Sequence, residues 1–273
     1  MKKMTITIET YLNSLSNDIL SIDISGKGIN FLPDLTRFVN LKILDCSHNN
    51  LNCLPTLPQN LEVLYCSRNK LTFLPILPQN LKILYCFHNN LNCLPTLPQN
   101  LEVLYCSHNK LTSLYTLPQN LEVLYCSHNK LTSLPTLPQN LIVLHCYDTK
   151  LTSLPTLPQN LEKLVCSINE LTYFPTLPEN LEELYFFNNP IYEIVKNNSL
   201  IEIKQNIQIL NNFRHLYYCL QYKKQLRKWL WEKVREPSIK KIFHPNYFEN
   251  LGNEDDLDIF LTNWICKTAI LET

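Results

Sequence analysis

From Leu41 onward the chain repeats one arrangement of apolar and polar positions, L-x-x-L-x-C-x-x-N-x-L-x-x-L-P-x-L-P-x-N, every 20 residues. It restarts at Leu61, Leu81, Leu101, Leu121, Leu141, Leu161 and, in part, at Leu181. A looser copy precedes it: Ile19, Ile22, Ile24, Ile29, Leu32 and Pro33 fit the frame at an offset of 22, with Lys27 in the asparagine position. A fixed period of this length signals a solenoid, because one such coil cannot bury its apolar side alone and must stack on its neighbours.

Each coil can be read further. In LEVLYCS, Leu124 and Cys126 alternate with Val123, Tyr125 and Ser127, a period of two that predicts a short strand with one buried face. Stacked coils then share one parallel sheet. Asn49, Asn69, Asn89, Asn109, Asn129, Asn169 and Asn189 follow the strand, where an inward amide satisfies backbone groups as the chain turns. Thr149 interrupts this series and marks a weak point. Pro135, Pro138 and their equivalents fix φ and lack an N–H, so the return segment is extended rather than helical. Tyr115 replaces the first proline in one repeat.

Over residues 19 to 190 this frame resembles the leucine-rich repeat, specifically the short LPxLP class of bacterial effectors of the YopM and IpaH type. The resemblance implies an α+β solenoid: an arc with one parallel sheet on its concave face and extended segments on its convex face. One departure is systematic. Cys46, Cys66, Cys86, Cys106, Cys126, Cys146 and Cys166 occupy an inward strand position where the effector class carries Val or Leu.

A solenoid exposes an apolar cross-section and a sheet edge at each end, so both ends need covers. Ile8, Tyr11, Leu12 and Leu15 have helical spacing, and residues 1 to 18 are expected to form a short helical cap. After Pro190 the 20-residue frame stops, and residues 191 to 273 are expected to form a helical C-terminal cap or domain. Phe213, Leu216, Tyr217, Leu220, Leu226, Trp229, Leu230 and Val234 predict a long helix that stops before Pro237. A second helix is predicted from about Asn253, with Glu254, Asp255 and Asp256 in its first turn and Leu257, Phe260, Leu261, Trp264 and Ile265 on one face. The tail sequence REPSIKKIFHPNYFENL, following KKQLRKWLWEKV, resembles the ends of repeat proteins encoded by giant DNA viruses of the mimivirus kind. That likeness implies a viral protein acting in a host cell.

Composition narrows the picture. Lys and Arg balance Asp and Glu at 24 each, so no overall field attracts nucleic acid or an acidic membrane. The opening MKKMTITIETYLNSLSND has no apolar run for a signal peptide, and no window reaches a membrane span. Eleven cysteines, most at one place in the repeat and odd in number, fit reduced thiols, hence an intracellular location, the host cytoplasm. The tail is polar in charge: residues 200 to 241 hold ten basic against three acidic residues, and 242 to 273 hold one against six. Lys223, Lys224, Arg227 and Lys228, with Tyr222 and Trp231, fit a solvated helix face better than a nucleic-acid-binding one.

Two columns carry the candidate chemistry. At the fifth repeat position stand Asp45, Tyr65, Tyr85, Tyr105, Tyr125, His145, Val165 and Tyr185, all on the concave face if the strand reading holds. Tyrosine offers a rigid ring and a hydroxyl, good for protein contact; the alternative is rings that only stack on one another. At the eighth position stand His48, Arg68, His88, His108, His128, Asp148, Ile168 and Asn188. Histidines in register point the same way instead of converging, so no metal and no cofactor is expected. Cys126 and His128, two residues apart, need not meet, and a thiol among leucines is inert. IpaH-type effectors imply an alternative, a ubiquitin-ligase-like tail with a catalytic Cys in a C-x-D context. Cys219 (YCL) and Cys266 (ICK) match no such motif, and no phosphate loop, HExxH or Ser/His/Asp set is present. The expected function is therefore non-enzymatic: a protein or extended peptide bound across Tyr65, Tyr85, Tyr105, Tyr125 and His145, with Arg68, His88, His108 and His128 at the rim.

Overall fold

The computed structural model describes residues 7 to 196 and 199 to 221, with side chains described to residue 214. Met1–Asn212 forms one compact unit; the second, Phe213–Thr273, lies almost wholly outside the described residues. The first unit is a parallel-sheet solenoid. Nine strands, β1 (Ser21–Asp23), β2 (Ile43–Asp45), β3 (Val63–Tyr65), β4 (Ile83–Tyr85), β5 (Val103–Tyr105), β6 (Val123–Tyr125), β7 (Val143–His145), β8 (Lys163–Val165) and β9 (Glu183–Tyr185), lie in sequence order in one sheet. Every pair is parallel and in register with the repeat, so Tyr65 faces Tyr85 and Tyr85 faces Tyr105. The offset of 22 in the first copy is real: Ser21 pairs with Ile43 and Ile22 with Leu44.

The core consists of stacked columns. Leucines at the first, fourth and eleventh positions, such as Leu121, Leu124 and Leu131, are fully buried, as is Cys126 between them. Each buried leucine contributes roughly 1.5–3 kcal/mol, realised only when a neighbouring coil covers it. Cysteine fits here as a small apolar side chain beside two leucine columns. No helix occurs between β1 and β9, as the paired prolines require.

The asparagine column joins one coil to the next. Asn109 Nδ2 donates to the Cys106 carbonyl of its own coil and to the Cys86 carbonyl of the preceding coil, both at 3.0 Å. Its Oδ1 accepts the Leu91 N–H at 3.0 Å. The same set recurs at Asn69, Asn89, Asn169 and Asn189. Thr149 is too short to span it. Its hydroxyl reaches Cys146 O at 3.3 Å and Asn169 Oδ1 at 2.6 Å, but the Leu131 N–H has no amide acceptor of this kind.

Both ends are covered. Helix α1 (Ile8–Asn13), capped by the Thr7 hydroxyl, buries Leu12, while Tyr11, placed by its spacing on the apolar face, is 37% exposed. Arg37 ties this cap down by donating to Asn17 Oδ1 at 2.9 Å and to the Leu12 carbonyl, with its guanidinium 4.3 Å over Phe38. At the other end α2 (Tyr192–Val195) and α3 (Leu200–Gln221) bury Val195, Ile203 and Ile207, and Lys204 Nζ donates to the Glu179 and Leu181 carbonyls at 2.8 and 3.0 Å. The long helix therefore starts at Leu200, ahead of the apolar run that predicted it, and Phe213 from that run is 66% exposed. The predicted continuation to Pro237 and the helix from Asn253 lie outside the described residues.

Replacing Thr149 with Asn should restore the missing bonds and raise unfolding stability by about 1 kcal/mol, read as a higher denaturation midpoint. Ile168, a β-branched residue held at φ 54°, is strained. Ile168→Asn should likewise stabilise by about 1 kcal/mol, and an unchanged midpoint would place the strain elsewhere.

Candidate binding surface

An in-register parallel sheet sets equivalent residues side by side at the strand spacing of about 4.8 Å, close to the thickness of stacked rings. The fifth-position column uses that match. Tyr65 meets Tyr85 edge-on at 5.0 Å, Tyr85 and Tyr105 stack in parallel at 4.3 Å, Tyr105 and Tyr125 lie at 4.2 Å, and Tyr125 and His145 at 4.0 Å. All five are half-buried, each ring shielding the next while one edge stays open. Burial, then the neighbouring phenols, raises the Tyr65 and Tyr105 hydroxyls above their usual range, so they remain neutral donors.

His145 is the flaw in this column. Its Nε2 is buried with no hydrogen-bond partner. Burial, then the nearby Lys163 charge, lowers its pKa from 6.5 to about 4.

The eighth-position column is exposed at His48, Arg68, His88 and His108, yet its rings stack. His88 and His108 stack at 4.0 Å, and so do His108 and His128. His128 Nδ1 meets Asp148 Oδ2 at 2.7 Å. Every residue in this column has positive φ, between 48° and 55°. Left-handed backbone is tolerated best, after glycine, by Asn, Asp and His, which accounts for those residue types in the column but not for Arg68 or Ile168. Burial, then neighbouring positive charge, lowers the pKa of His88 and His108 below the usual histidine value.

Sequence reasoning named the tyrosines and histidines but passed over three features of the same face. Val63, Ile83, Val103, Val123 and Val143 form a half-buried apolar column beside the tyrosines; the alternation that placed Val123 and Tyr125 on one face already contained it. Phe87 packs 5.7 Å from His88, and Tyr147 lies 4.9 Å from His128, both at the seventh position. Asp148 becomes a partner of His128 only through stacking of coils 20 residues apart.

The cysteine column offers no chemistry. Cys46, Cys86 and Cys126 are buried, and burial pushes their thiols up to about 12, well out of reach of the thiolate form. Among the described residues no three His, Cys, Asp or Glu are grouped to hold a metal ion, and no helix is long and apolar enough to cross a membrane.

Comparison with known proteins agrees with this architecture. Residues 40–61 and 60–81 match the Leucine Rich Repeat family, and residues 99–139 match its two-copy form. No curated protein matches the chain by sequence. Among solved structures, YopM from Yersinia enterocolitica WA-314 is 39% identical, covering 65% of this chain and 39% of its own, with a TM-score of 0.63. YopM from Yersinia pestis, described as a leucine-rich effector protein, is 34% identical over 64% of this chain and 56% of its own, with a TM-score of 0.57. The functional domain of InlJ from Listeria monocytogenes, which includes a cysteine ladder, is 26% identical over 68% of this chain and 47% of its own, with a TM-score of 0.53. The chain thus carries leucine-rich repeats closely similar in structure to those of YopM. It spans less than two thirds of each of these proteins.

Depressed histidine pKa values have a defined consequence for stability. The unfolded chain binds a proton near pH 6.5 that folded His145 refuses until about pH 4, so stability is complete above pH 6.5 and declines as the pH falls through that window. His88 and His108 act in the same direction. The melting temperature should fall between pH 7 and pH 5, and His145→Tyr, which fills the column with a non-titrating ring, should lessen the fall. Equal pH dependence in the two proteins would remove His145 as its cause.

Proposed function

We propose that the chain is a non-enzymatic protein-interaction module that seats a protein or extended peptide across the open, concave face of its sheet. Tyr65, Tyr85, Tyr105, Tyr125 and His145 form the floor with the valine column beside them, and Arg68, His88, His108 and His128 form one flank. The single observation that supports this most is the continuous aromatic column, whose rings brace one another at 4.0–5.0 Å yet keep exposed edges. Rings already fixed by their neighbours lose little entropy when a partner covers them, which suits tyrosine as a contact residue.

By likeness to effector proteins, the partner is a host-cell protein and the site of action the interior of that cell. The viral assignment rests on the tail motif alone. A ligase-like role would require a catalytic cysteine in the tail, and the two tail cysteines lie in no matching motif.

The triple variant Y85A/Y105A/Y125A, checked for retained secondary structure, should lose partner capture from host lysate by at least tenfold. A control variant on the opposite side, T96A/T136A, should capture normally. If both variants capture as well as the unaltered protein, the proposed face is wrong.

A further inference from the structure

The charges around this face are sorted by side. Beyond the histidine column, two residues further along each coil, Lys70, Lys110, Lys130 and Lys150 are exposed, and Arg68 occupies the column position one coil before His88. On the other flank, just before the strands, stand Glu62, Glu102, Glu122, Glu162 and Glu182, with Lys42, Lys82 and Ile142 at the same repeat position. One flank is thus basic and the other mainly acidic, with the tyrosine and valine columns between them.

The basic flank contains the stacked imidazoles. Three rings face to face at 4.0 Å cannot all carry protons unless a negative charge lies alongside. Asp148 Oδ2 lies 2.7 Å from His128 Nδ1. The groups that act on or pack against the column are Arg68, Asp148 and the rings of Phe87 and Tyr147, with the four exposed lysines two residues beyond the column position of their own coils. Asp148 also favours the charged form of His108 from two coils away, but among the described residues no carboxylate pairs directly with His88 or His108, and both are exposed.

Resting on the reading that the sheet face is the docking surface, we propose that His88, His108 and His128, with Arg68, Lys110 and Lys130, form a docking strip for an acidic segment of the partner protein, gripped more tightly as the pH falls. A carboxylate beside the column favours the imidazolium, so the complex takes up protons that the free chain does not hold, and affinity rises with acidity. The arginine and lysines add attraction that does not vary over the same range. A nucleic acid, anionic all along its backbone, would meet the glutamates of the opposite flank; a protein segment acidic along one edge avoids them.

The test uses the full chain and a fluorescein-labelled peptide, (Glu-Gln)5, whose carboxylates share one edge when extended. Its dissociation constant, read by fluorescence anisotropy at fixed ionic strength, should fall about tenfold from pH 7.5 to pH 5.5, the effect of roughly one unit of pKa change. H88N/H108N/H128N should abolish that pH dependence while leaving weaker, pH-independent binding, since asparagine tolerates the left-handed backbone there. Circular dichroism verifies the fold. K110Q/K130Q should weaken binding at both pH values. Absence of binding, pH-independent binding by the unaltered chain, or insensitivity to the histidine changes would each overturn the proposal. So would tighter binding of an oligothymidylate of equal charge with the same variant dependence, which would make the strip a nucleic-acid surface. Loss of capture in the tyrosine variants is measured separately, so failure of the strip is distinguishable from failure of the docking face on which it rests.

Discussion

The asparagine that follows all but two of the strands holds the solenoid together. Its amide bonds the carbonyl of its own coil and that of the coil before, and its oxygen takes an N–H from the preceding coil, all within the buried turn. Those backbone groups would otherwise be buried without partners, at roughly 1–3 kcal/mol each. Because the side chain has one length and three bonds to make, it fixes both the turn and the distance to the next coil. The leucine columns supply the driving force for stacking, and the asparagine supplies the register.

That register determines the surface. Once coils stack with residue i beside residue i+20, any residue type repeated at one position becomes a continuous column, and its spacing is set by backbone hydrogen bonds such as Cys106 N–H to Tyr125 O at 2.8 Å. Flat rings fit that spacing and stack; leucines fit it and interlock. The outward face is therefore braced by its own stacking, for a reason unrelated to binding. Its departures are local: His145 leaves a buried nitrogen unpaired, and Asp148 Oδ2 meets His128 Nδ1 at 2.7 Å.

The helices at the two ends stabilise the array in a different way. They cover the apolar cross-sections with Leu12 on one side and Val195, Ile203 and Ile207 on the other, and Arg37 and Lys204 bond carbonyls near the ends of the array. Such contacts are long-range in sequence and unique, unlike the repeated contacts between coils. That is why the repeats were easy to read while the start of α3 and the buried face of the C-terminal cap were not: a helix docked on one coil takes its apolar side from the shape of that coil.

The sequence by itself determined the parallel sheet, the 20-residue register, the inward leucines and cysteines, the bridging asparagines and the outward tyrosines, because a strict period makes every local choice repeat and leaves one packing consistent with all of them. It also flagged Thr149 as a break. Only the tertiary structure decided that His88, His108 and His128 sit on left-handed backbone and stack, that Asp148 pairs with His128, and that His145 has a buried nitrogen without a partner. Each of those depends on side-chain directions between neighbouring coils, and the period of a sequence specifies which residues are neighbours but not how their side chains turn to meet.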